Sequence, residues 1–483
     1  MSLYAYFVIS DFEIMLLFSR VRRLHPSKPK DHGTKMVKTS GKTKSSGSFE
    51  GLVTGRTATQ ITSSIEAAIR RGTFTVGEAL PTIRTLADEL GVNRNTVAAA
   101  YRRLSDAGLI EGRGRQGSRV AALGMGPART PPPIHDVGAG NPDPQLLPDV
   151  FGALQRCQWH PRDYDDAPDE PALLEYATAQ FRQDGIPVGD IWISNGTFDA
   201  IAVVLQATLP KGSTIAVEDP CFMTTLGLLR ELGYQPIPIK VDDEGAIPKS
   251  LDQALKSGVK GAILTPRAQN PYGGSWSATR QKDLAAVIKP YKDVLVIEDD
   301  HFAALSQFKP VTLVSDDRRN WAVIRSVSKY IGADMRLAFV NSSKDIGPKV
   351  LGLSAFTYRW VSSILQKTLL ATISEPDYET RIHKASELYK KRRETFVQAL
   401  TKFGIESHGA DGINVWIPVE NEQFTAQRLM EAGWIVKAGS IFRLESPPGI
   451  RLTTSTITES QSVEFAKLLS NIRQHRVGVQ RSA

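Results

Sequence analysis

Residues 326–336 read Ser326-Val327-Ser328-Lys329-Tyr330-Ile331-Gly332-Ala333-Asp334-Met335-Arg336. Lys329 closely follows two serines, and Arg336 comes seven residues later. A lysine amine can bond to an aldehyde, while hydroxyl groups and a guanidinium can hold a phosphate dianion. The segment therefore predicts a site for a cofactor that carries an aldehyde and a phosphate, as pyridoxal phosphate (PLP) does. Its candidate residues are Ser326, Ser328, Lys329 and Arg336.

A short apolar run upstream of this segment is followed by three acids. Val294 to Ile297 is typical of a buried parallel strand, and Glu298, Asp299 and Asp300 come directly after it. Ligands of open α/β sheets bind at the carboxyl ends of such strands. A carboxylate there can pair with the protonated pyridine nitrogen of PLP. An ordinary acidic loop is the alternative interpretation.

A glycine-containing turn has the pattern of a phosphate site. Ser194-Asn195-Gly196-Thr197-Phe198 follows a strand-like run and opens a predicted helix over residues 199–209. Backbone N–H groups at a helix start attract phosphate. Gly196 and Thr197 are therefore candidate cofactor-binding residues, although a simple turn would show the same pattern.

These segments, in this order, resemble the fold-type-I PLP enzymes, whose large α/β domain is aspartate aminotransferase-like. The resemblance extends to Val217-Glu218-Asp219-Pro220-Cys221-Phe222 and Thr265-Pro266-Arg267-Ala268-Gln269-Asn270-Pro271-Tyr272-Gly273-Gly274. It implies that Asp299 pairs with the pyridine nitrogen and that Asn270 donates to the phenolic oxygen of the cofactor. It also implies that Phe222 stacks on the pyridine ring, with a core phenylalanine as the alternative, and that Arg451 clamps a substrate or effector carboxylate.

Two positions depart from the family pattern. Tyr272 stands where the family usually has threonine, and His301 stands where relatives commonly have a tyrosine that supports the phenolic oxygen. A histidine can replace that tyrosine as a donor or alter the acidity of the lysine linkage. We therefore include His301 among the candidate cofactor-binding residues.

The amino-terminal part predicts three helices and a hairpin. Apolar residues recur at helical spacing over residues 57–71, a second helix is predicted over residues 82–91 with Thr82 as its cap, and a third over residues 93–107. Two strand-like runs then flank an arginine-containing tip at residues 112–117. This order predicts a small α+β winged helix-turn-helix domain.

The stretch from Leu80 to Val120 resembles the GntR family of winged helix-turn-helix regulators, with its Leu-Pro-Thr, Leu-Gly-Val-Asn-Arg-Asn-Thr-Val and Ala-Tyr-Arg-Arg-Leu elements. The outer face of the third helix suits a major groove, and the hairpin tip suits phosphate or minor-groove contact. The candidate residues for binding double-stranded DNA are Thr82, Arg84, Arg94, Asn95, Thr96, Arg102, Arg113, Arg115 and Gln116. A protein-binding winged helix is the alternative.

The distribution of charge favours DNA binding by this part. Lys and Arg outnumber Asp and Glu by 19 to 10 in residues 1–123, against 40 to 41 in the remainder. The formal net charge of +8 therefore lies in the amino-terminal part, as expected of the part that contacts nucleic acid. About half of that surplus belongs to the first fifty residues.

Composition also predicts the domain boundaries. We expect residues 1–50 to be a disordered extension with Met36 as an alternative start, residues 51–123 to be the winged helix-turn-helix domain, residues 124–137 to be a linker and residues 138–483 to be the PLP-binding domain. The apolar run near the start is interrupted by acids and followed by positive charge, which predicts neither a signal peptide nor a membrane span. Two cysteines predict no disulfide framework, and eight scattered histidines predict no metal site.

A GntR-type head with an aminotransferase-like body resembles the MocR subfamily of bacterial transcription regulators, and the PtsJ-type members associated with vitamin B6 supply are most similar. The resemblance implies a cytoplasmic homodimer, nucleoid-associated when bound to DNA, with its large domains paired head to tail on an operator with repeated half-sites. It predicts that PLP bound at Lys329 is the effector and that the target is a repressed gene of vitamin B6 metabolism or salvage. Two alternatives stay open: an active aminotransferase with an appended DNA-binding domain, and a regulator that senses an amino compound through PLP.

Overall fold

The structure, a computed structural model, describes residues 53–70, 73–75, 77–106, 109–112, 117–120 and 134–480. The chain divides into two units, with the division after Arg129. The predictions for residues 1–50, for the tip of the hairpin and for most of the linker lie outside the described residues.

In its described residues, the amino-terminal unit contains three helices and a hairpin, as the sequence predicts. They are α1 (Ala58–Arg70), α2 (Ile83–Leu90), α3 (Arg94–Asp106), β1 (Ile110–Gly112) and β2 (Ser118–Val120). The two strands are antiparallel, with Ile110 opposite Val120. Ile61, Leu86 and Val97 are buried in one core, because the apolar residues of each helix fall on one face.

Polar side chains at the helix starts position α3. Thr82 Oγ1 accepts a hydrogen bond from the Thr85 N–H at 3.1 Å and caps α2, and Asn93 Oδ1 accepts one from the Asn95 N–H at 2.8 Å beside the start of α3. The buried Tyr101 hydroxyl of α3 donates to the Pro81 carbonyl at 2.7 Å. The exposed face of α3 is thus fixed relative to α2.

The second unit is built around a mixed sheet. Its strands are β3 (His135–Asp136), β4 (Asp190–Ser194), β5 (Thr214–Asp219), β6 (Gln235–Asp242), β7 (Gly245–Ala246), β8 (Gly261–Leu264), β9 (Leu295–Asp299), β10 (Trp321–Ser326), β11 (Ala338–Ser342), β12 (Asn414–Pro418), β13 (Trp434–Ile435), β14 (Lys437–Ala438) and β15 (Gly449–Thr453). Its helices are α4 (Val150–Arg156), α5 (Pro171–Gln183), α6 (Thr197–Thr208), α7 (Met223–Glu231), α8 (Pro248–Lys256), α9 (Ala278–Ile288), α10 (Gly347–Ala355), α11 (Ser363–Ile373), α12 (Tyr378–Lys402), α13 (Glu422–Glu431) and α14 (Glu459–Gln480).

Eight strands form the main sheet in the order β4-β11-β10-β9-β8-β5-β6-β7. From β10 to β6 neighbouring strands are parallel, whereas β11 and β7 run antiparallel to their neighbours. Val296 of β9 packs into the core on one face, while Leu295 and Ile297 pack into the core on the other. Because both faces are covered, β9 is apolar without alternation. The strand continues through Glu298 and Asp299, so these acids end the strand and are not part of a loop.

The carboxyl-terminal part forms a smaller body on α12 and α14. Its sheet has the order β12-β15-β14, and β13 pairs in parallel with β3. Phe396, Phe465 and Trp434 belong to its core. Because β3 and Val137 belong to this body, residues 135–137, which the sequence places in the linker, are already packed against it.

Candidate functional site

A cavity of about 200 Å³ opens where several parallel strands end. Strands β5, β8, β9 and β10 each deliver a segment to it, as expected for the carboxyl edge of an open α/β sheet. The predicted residues that line it are Thr197, Phe222, Asn270, Asp299, His301, Ser326, Ser328, Lys329 and Arg336. Residues up to 139 positions apart in the sequence are thus brought together by the strand order.

One end of the cavity offers donors for a phosphate. Gly196 precedes the first turn of α6 with φ 92°, and a Cβ at this position would lie 3.1 Å from Arg336 Nη2. Arg336 Nη2 also donates to the Asn195 carbonyl at 3.2 Å. Ser326 Oγ donates to Ser328 Oγ at 2.9 Å. The start of α6, hydroxyl groups and a guanidinium therefore lie together, which is the arrangement that holds a dianion.

Asp299 lies at the end of β9 with a buried oxygen that has no hydrogen-bond partner among the described residues, Oδ1. Nδ1 of His301 is 3.9 Å from that oxygen, too far for a hydrogen bond. Burial and then the neighbouring Asp300 raise the pKa of Asp299 to about 7, and Lys329 acts in the opposite direction. A protonated ring nitrogen would supply the missing donor and favour the ionised carboxylate.

The amine of Lys329 donates a hydrogen bond to the Gly140 carbonyl at 2.8 Å. Burial lowers the pKa of Lys329 to about 8, with Arg451 acting in the same direction and Asp299 against it. A larger fraction of this amine is therefore neutral near neutral pH than for an ordinary lysine. The neutral amine is the form that bonds to an aldehyde.

His301 lies on the cavity wall as a neutral ring, because burial lowers its pKa to about 4. In this state one ring nitrogen donates and the other accepts. Phe222 forms an aromatic pair with Phe198, with ring centres 5.7 Å apart and planes at 20°. Asn270 Oδ1 accepts a hydrogen bond from Arg451 Nη1 at 3.2 Å, so the amide nitrogen of Asn270 is the atom that can donate to a ligand.

Arg451 is buried beside the cavity. Its hydrogen-bond partners among the described residues are neutral oxygens, since Nη2 donates to the Gly138 carbonyl at 2.5 Å and Nη1 to Asn270. The guanidinium carbon lies 5.0 Å from the centre of the Phe442 ring. Burial lowers the pKa of Arg451 to about 10, so the group keeps its charge at neutral pH. A ligand carboxylate would neutralise this buried cation.

The residues fit PLP. Thr197 Oγ1, Asp299 Oδ1 and Arg451 Nε are three of the four buried side-chain polar atoms without a partner in the described part of the chain. Buried polar groups are normally hydrogen-bonded, so three such atoms around one cavity indicate a polar ligand. Thr197 and its neighbours would hold the phosphate, Asp299 the ring nitrogen and Lys329 the aldehyde carbon. When bound, PLP supplies that aldehyde and an electron-withdrawing ring.

Sequence reasoning missed other residues of the cavity, among them Glu218 and Gln269. Thr265 N–H donates to Glu218 Oε1 at 3.2 Å, and burial raises the pKa of Glu218 to about 8. Glu218 is thus largely a neutral acid at the end of β5. The sequence could have indicated Glu218 as a site residue, because it is a polar residue at the end of a buried parallel strand.

The sequence also did not predict a buried charged cluster next to the cavity. Asp300 accepts hydrogen bonds from Arg267 Nε at 2.9 Å, Arg267 Nη2 at 2.5 Å and Arg325 Nε at 3.0 Å. Although burial alone would raise it, these two guanidinium groups hold the pKa of Asp300 at about 2. The cluster joins the segments that carry Asn270, Asp299 and Lys329.

The amino-terminal unit presents the candidate DNA-binding face. Arg94, Asn95 and Arg102 of α3 are exposed and Thr96 is half-buried. Thr82 is exposed and caps α2, and Arg84 of that helix is exposed and lies 4.0 Å from Asp88. Three further candidates lie outside the described residues: Arg113, Arg115 and Gln116.

Comparison with known families matches both units. Residues 57–120 match the bacterial regulatory proteins of the gntR family, and residues 136–469 match aminotransferase class I and II. The fold is therefore that of a transcription regulator with a winged helix-turn-helix head and a fold-type-I aminotransferase-like PLP domain. The chain belongs to this family, the MocR type, which confirms the predicted family and fold class.

Individual relatives agree with this assignment. The vitamin B6 salvage pathway transcriptional repressor PtsJ of Salmonella typhimurium is 42% identical over 433 residues, which cover 88% of this chain and 99% of that protein. The pyridoxine biosynthesis transcriptional regulator PdxR of Corynebacterium glutamicum is 25% identical, over 69% of this chain and 77% of its own. The crystal structure of Pyrococcus horikoshii kynurenine aminotransferase matches with a TM-score of 0.64 at 21% identity, covering 71% of this chain and 91% of that one.

None of the described helices is both long and apolar enough to cross a membrane. Within the same residues, no group of three or more His, Cys, Asp or Glu side chains is placed to hold a metal ion.

Proposed function

We propose that this protein represses a gene of vitamin B6 metabolism or salvage, and that PLP held at Lys329 is its effector. The observation that carries the proposal is the presence, in one chain, of an exposed basic helix in a winged helix-turn-helix unit and of a cavity lined by Lys329, Asp299 and Thr197. The relative named as a vitamin B6 salvage repressor supports the choice of target, because it is 42% identical over almost its whole length.

The response to PLP requires two states of the protein. A ligand shifts an equilibrium only by as much as its affinities for the two states differ. Coupling between a ligand site and a DNA-binding site is typically ~1–3 kcal/mol. PLP in the cavity therefore needs only a modest preference for one state to change operator affinity several-fold.

We further propose that the acting form is a homodimer with its large domains paired head to tail, so that two winged helices meet repeated half-sites. Dimeric regulators of this kind read operators whose repeats match the spacing of their reading helices. A regulator acts where the DNA is, so we place the protein in the cytoplasm and, when bound, on the nucleoid. The boundaries 51–123 and 138–483 remain our proposal for the two domains.

A footprinting experiment tests the DNA part of the proposal. Purified full-length protein should protect two repeated half-sites in the DNA upstream of its own gene, and a shuffled fragment of the same composition should show no discrete protection. Affinity should fall steeply as salt increases, because phosphate contacts release counterions. Uniform, sequence-independent protection of both fragments would contradict the proposal.

Two features favour a second candidate function, which is either transamination or the sensing of an amino acid. The pKa of Lys329, lowered to about 8 by burial, suits proton transfer, and Arg451 is a buried cation with neutral partners among the described residues. The test is to mix PLP-loaded protein with single amino acids and to measure oxo acid formation. Stoichiometric oxo acid would establish enzyme chemistry, whereas its absence together with an amino acid effect on DNA affinity would establish sensing of an amino compound.

A further inference from the structure

The segment that leaves the cofactor cavity toward the amino-terminal unit is residues 134–143, which we call the strap. Gly140 of the strap lies against Lys329, and Ile134 is the first described residue of the second unit. Only residues 134–139 therefore lie between the cavity contact and the Pro-rich part of the linker that ends at Pro133.

Two cavity cations hold the middle of the strap. Lys329 Nζ donates to the Gly140 carbonyl at 2.8 Å, and Arg451 Nη2 donates to the Gly138 carbonyl at 2.5 Å. Arg451 lies close to the backbone of Gly140, since a Cβ on Gly140 would lie 3.1 Å from Arg451 Nη2. Gly140 also has φ 77°. Hydrogen bonds from a charged donor are the stronger ones, so these contacts are substantial anchors for the backbone.

The amino-terminal end of the strap is anchored differently. The His135 N–H donates to the Gly433 carbonyl at 2.8 Å and the Val137 N–H to the Ile435 carbonyl at 3.0 Å. The His135 ring lies 4.6 Å from the Trp434 ring, and His135 Nδ1 lies 3.2 Å from Gln461 Nε2. These contacts tie the strap to β13 and α14 of the smaller carboxyl-terminal body.

The same two cations are the groups that a ligand would engage. PLP needs the amine of Lys329, and a ligand carboxylate needs the guanidinium of Arg451. Bonding to an aldehyde would remove N–H donors from the Lys329 amine and so weaken its hydrogen bond to the Gly140 carbonyl. Ligand occupancy and the anchoring of Gly140 are therefore alternatives at the Lys329 amine.

We propose that the strap carries the ligand state of the cavity to the linker: PLP engagement of Lys329 releases Gly140 and loosens the pairing of β3 with β13. This inference rests on the proposed function, since it concerns how the same PLP site acts on the DNA-binding unit. It requires no direct contact between the two units, only that the chain between them starts from a segment whose anchoring depends on the ligand.

The test compares His135→Ala with His383→Ala, an exposed histidine of α12 away from the strap. Operator affinity of the full-length protein is measured with and without PLP, and PLP affinity is measured separately. We expect the PLP effect on wild type and on His383→Ala to lie in the roughly 5- to 150-fold range of allosteric coupling. We expect His135→Ala to bind PLP as wild type does while its PLP effect falls below about twofold. A full PLP effect in His135→Ala would overturn the proposal.

Amide hydrogen exchange on the unmodified protein provides an independent readout. Saturating PLP should speed exchange of the His135 and Val137 amides, while the Val296 amide of the central sheet stays unchanged. If exchange at His135 and Val137 is unchanged in protein whose operator affinity does respond to PLP, the strap proposal is refuted and the proposed function is not. If wild type shows no PLP effect on DNA, the proposed function fails and the strap proposal fails with it.

Discussion

At the residue scale, Lys329 is the position on which the PLP account depends most. Lys329→Ala removes the only amine among the described residues that line the cavity, so we expect the visible absorbance of lysine-bound PLP to disappear and the PLP effect on DNA affinity to be blunted. Operator binding without PLP should remain. Lys344→Ala, at an exposed lysine, is the matched control and should behave as wild type. An unchanged PLP response in Lys329→Ala would rule out sensing through this residue.

The ionisation of Lys329 makes a second prediction at this scale. Because burial lowers its pKa to about 8, the neutral fraction of the amine rises with pH and levels off above that value. The rate at which PLP attaches to the protein should therefore rise ~10-fold per pH unit below the pKa and reach a plateau above it. Stopped-flow absorbance measures this rate. A rate that keeps rising to about pH 10, as for an ordinary lysine, would contradict the account.

At the scale of elements, α3 is the predicted reading helix. Arg94→Ala removes an exposed cation at its amino-terminal end, so we expect operator affinity to be lost while the absorbance of bound PLP stays as in wild type. Arg103 lies nine residues on, half a turn away around the helix, where its guanidinium donates to Thr59 Oγ1 at 2.7 Å. Arg103→Ala is therefore the charge-matched control and should retain operator binding. Retained operator affinity in Arg94→Ala would show that another element reads the DNA.

Asp300 connects three segments of the large unit: the segments that follow β8 and β9, and the strand β10. Asp300→Ala leaves Arg267 and Arg325 buried without this partner, which we expect to destabilise the unit by ~3–5 kcal/mol. Denaturant unfolding measures the loss, and PLP affinity should fall as well because the segments carrying Asn270, Asp299 and Lys329 lose their common anchor. Asp345→Ala, at an exposed acid, is the control. If Asp300→Ala has the stability and the PLP affinity of wild type, the cluster does not position the cofactor-binding segments.

At the scale of the whole molecule, individual helices, strands and site segments were easier to predict from the sequence than the contacts between distant segments. Local patterns identified the head helices, β9 and the segment around Lys329, because helix periodicity, caps and apolar strands depend on nearby residues. The pairing of Asp300 with Arg267 and Arg325 was not predictable, since it joins residues 33 and 25 positions apart through the strand order. The strap was not predicted for the same reason: a Pro- and Gly-rich composition indicates a linker, and only the fold shows that His135 and Asp136 pair with β13.

The most direct test of the central claim is a fluorescence-anisotropy titration of the full-length protein on labelled DNA flanking its own gene, at fixed salt, with and without PLP. We predict an affinity that depends on the DNA sequence and that changes roughly 5- to 150-fold when PLP is added. Salt-sensitive binding that is indifferent both to sequence and to PLP would contradict it.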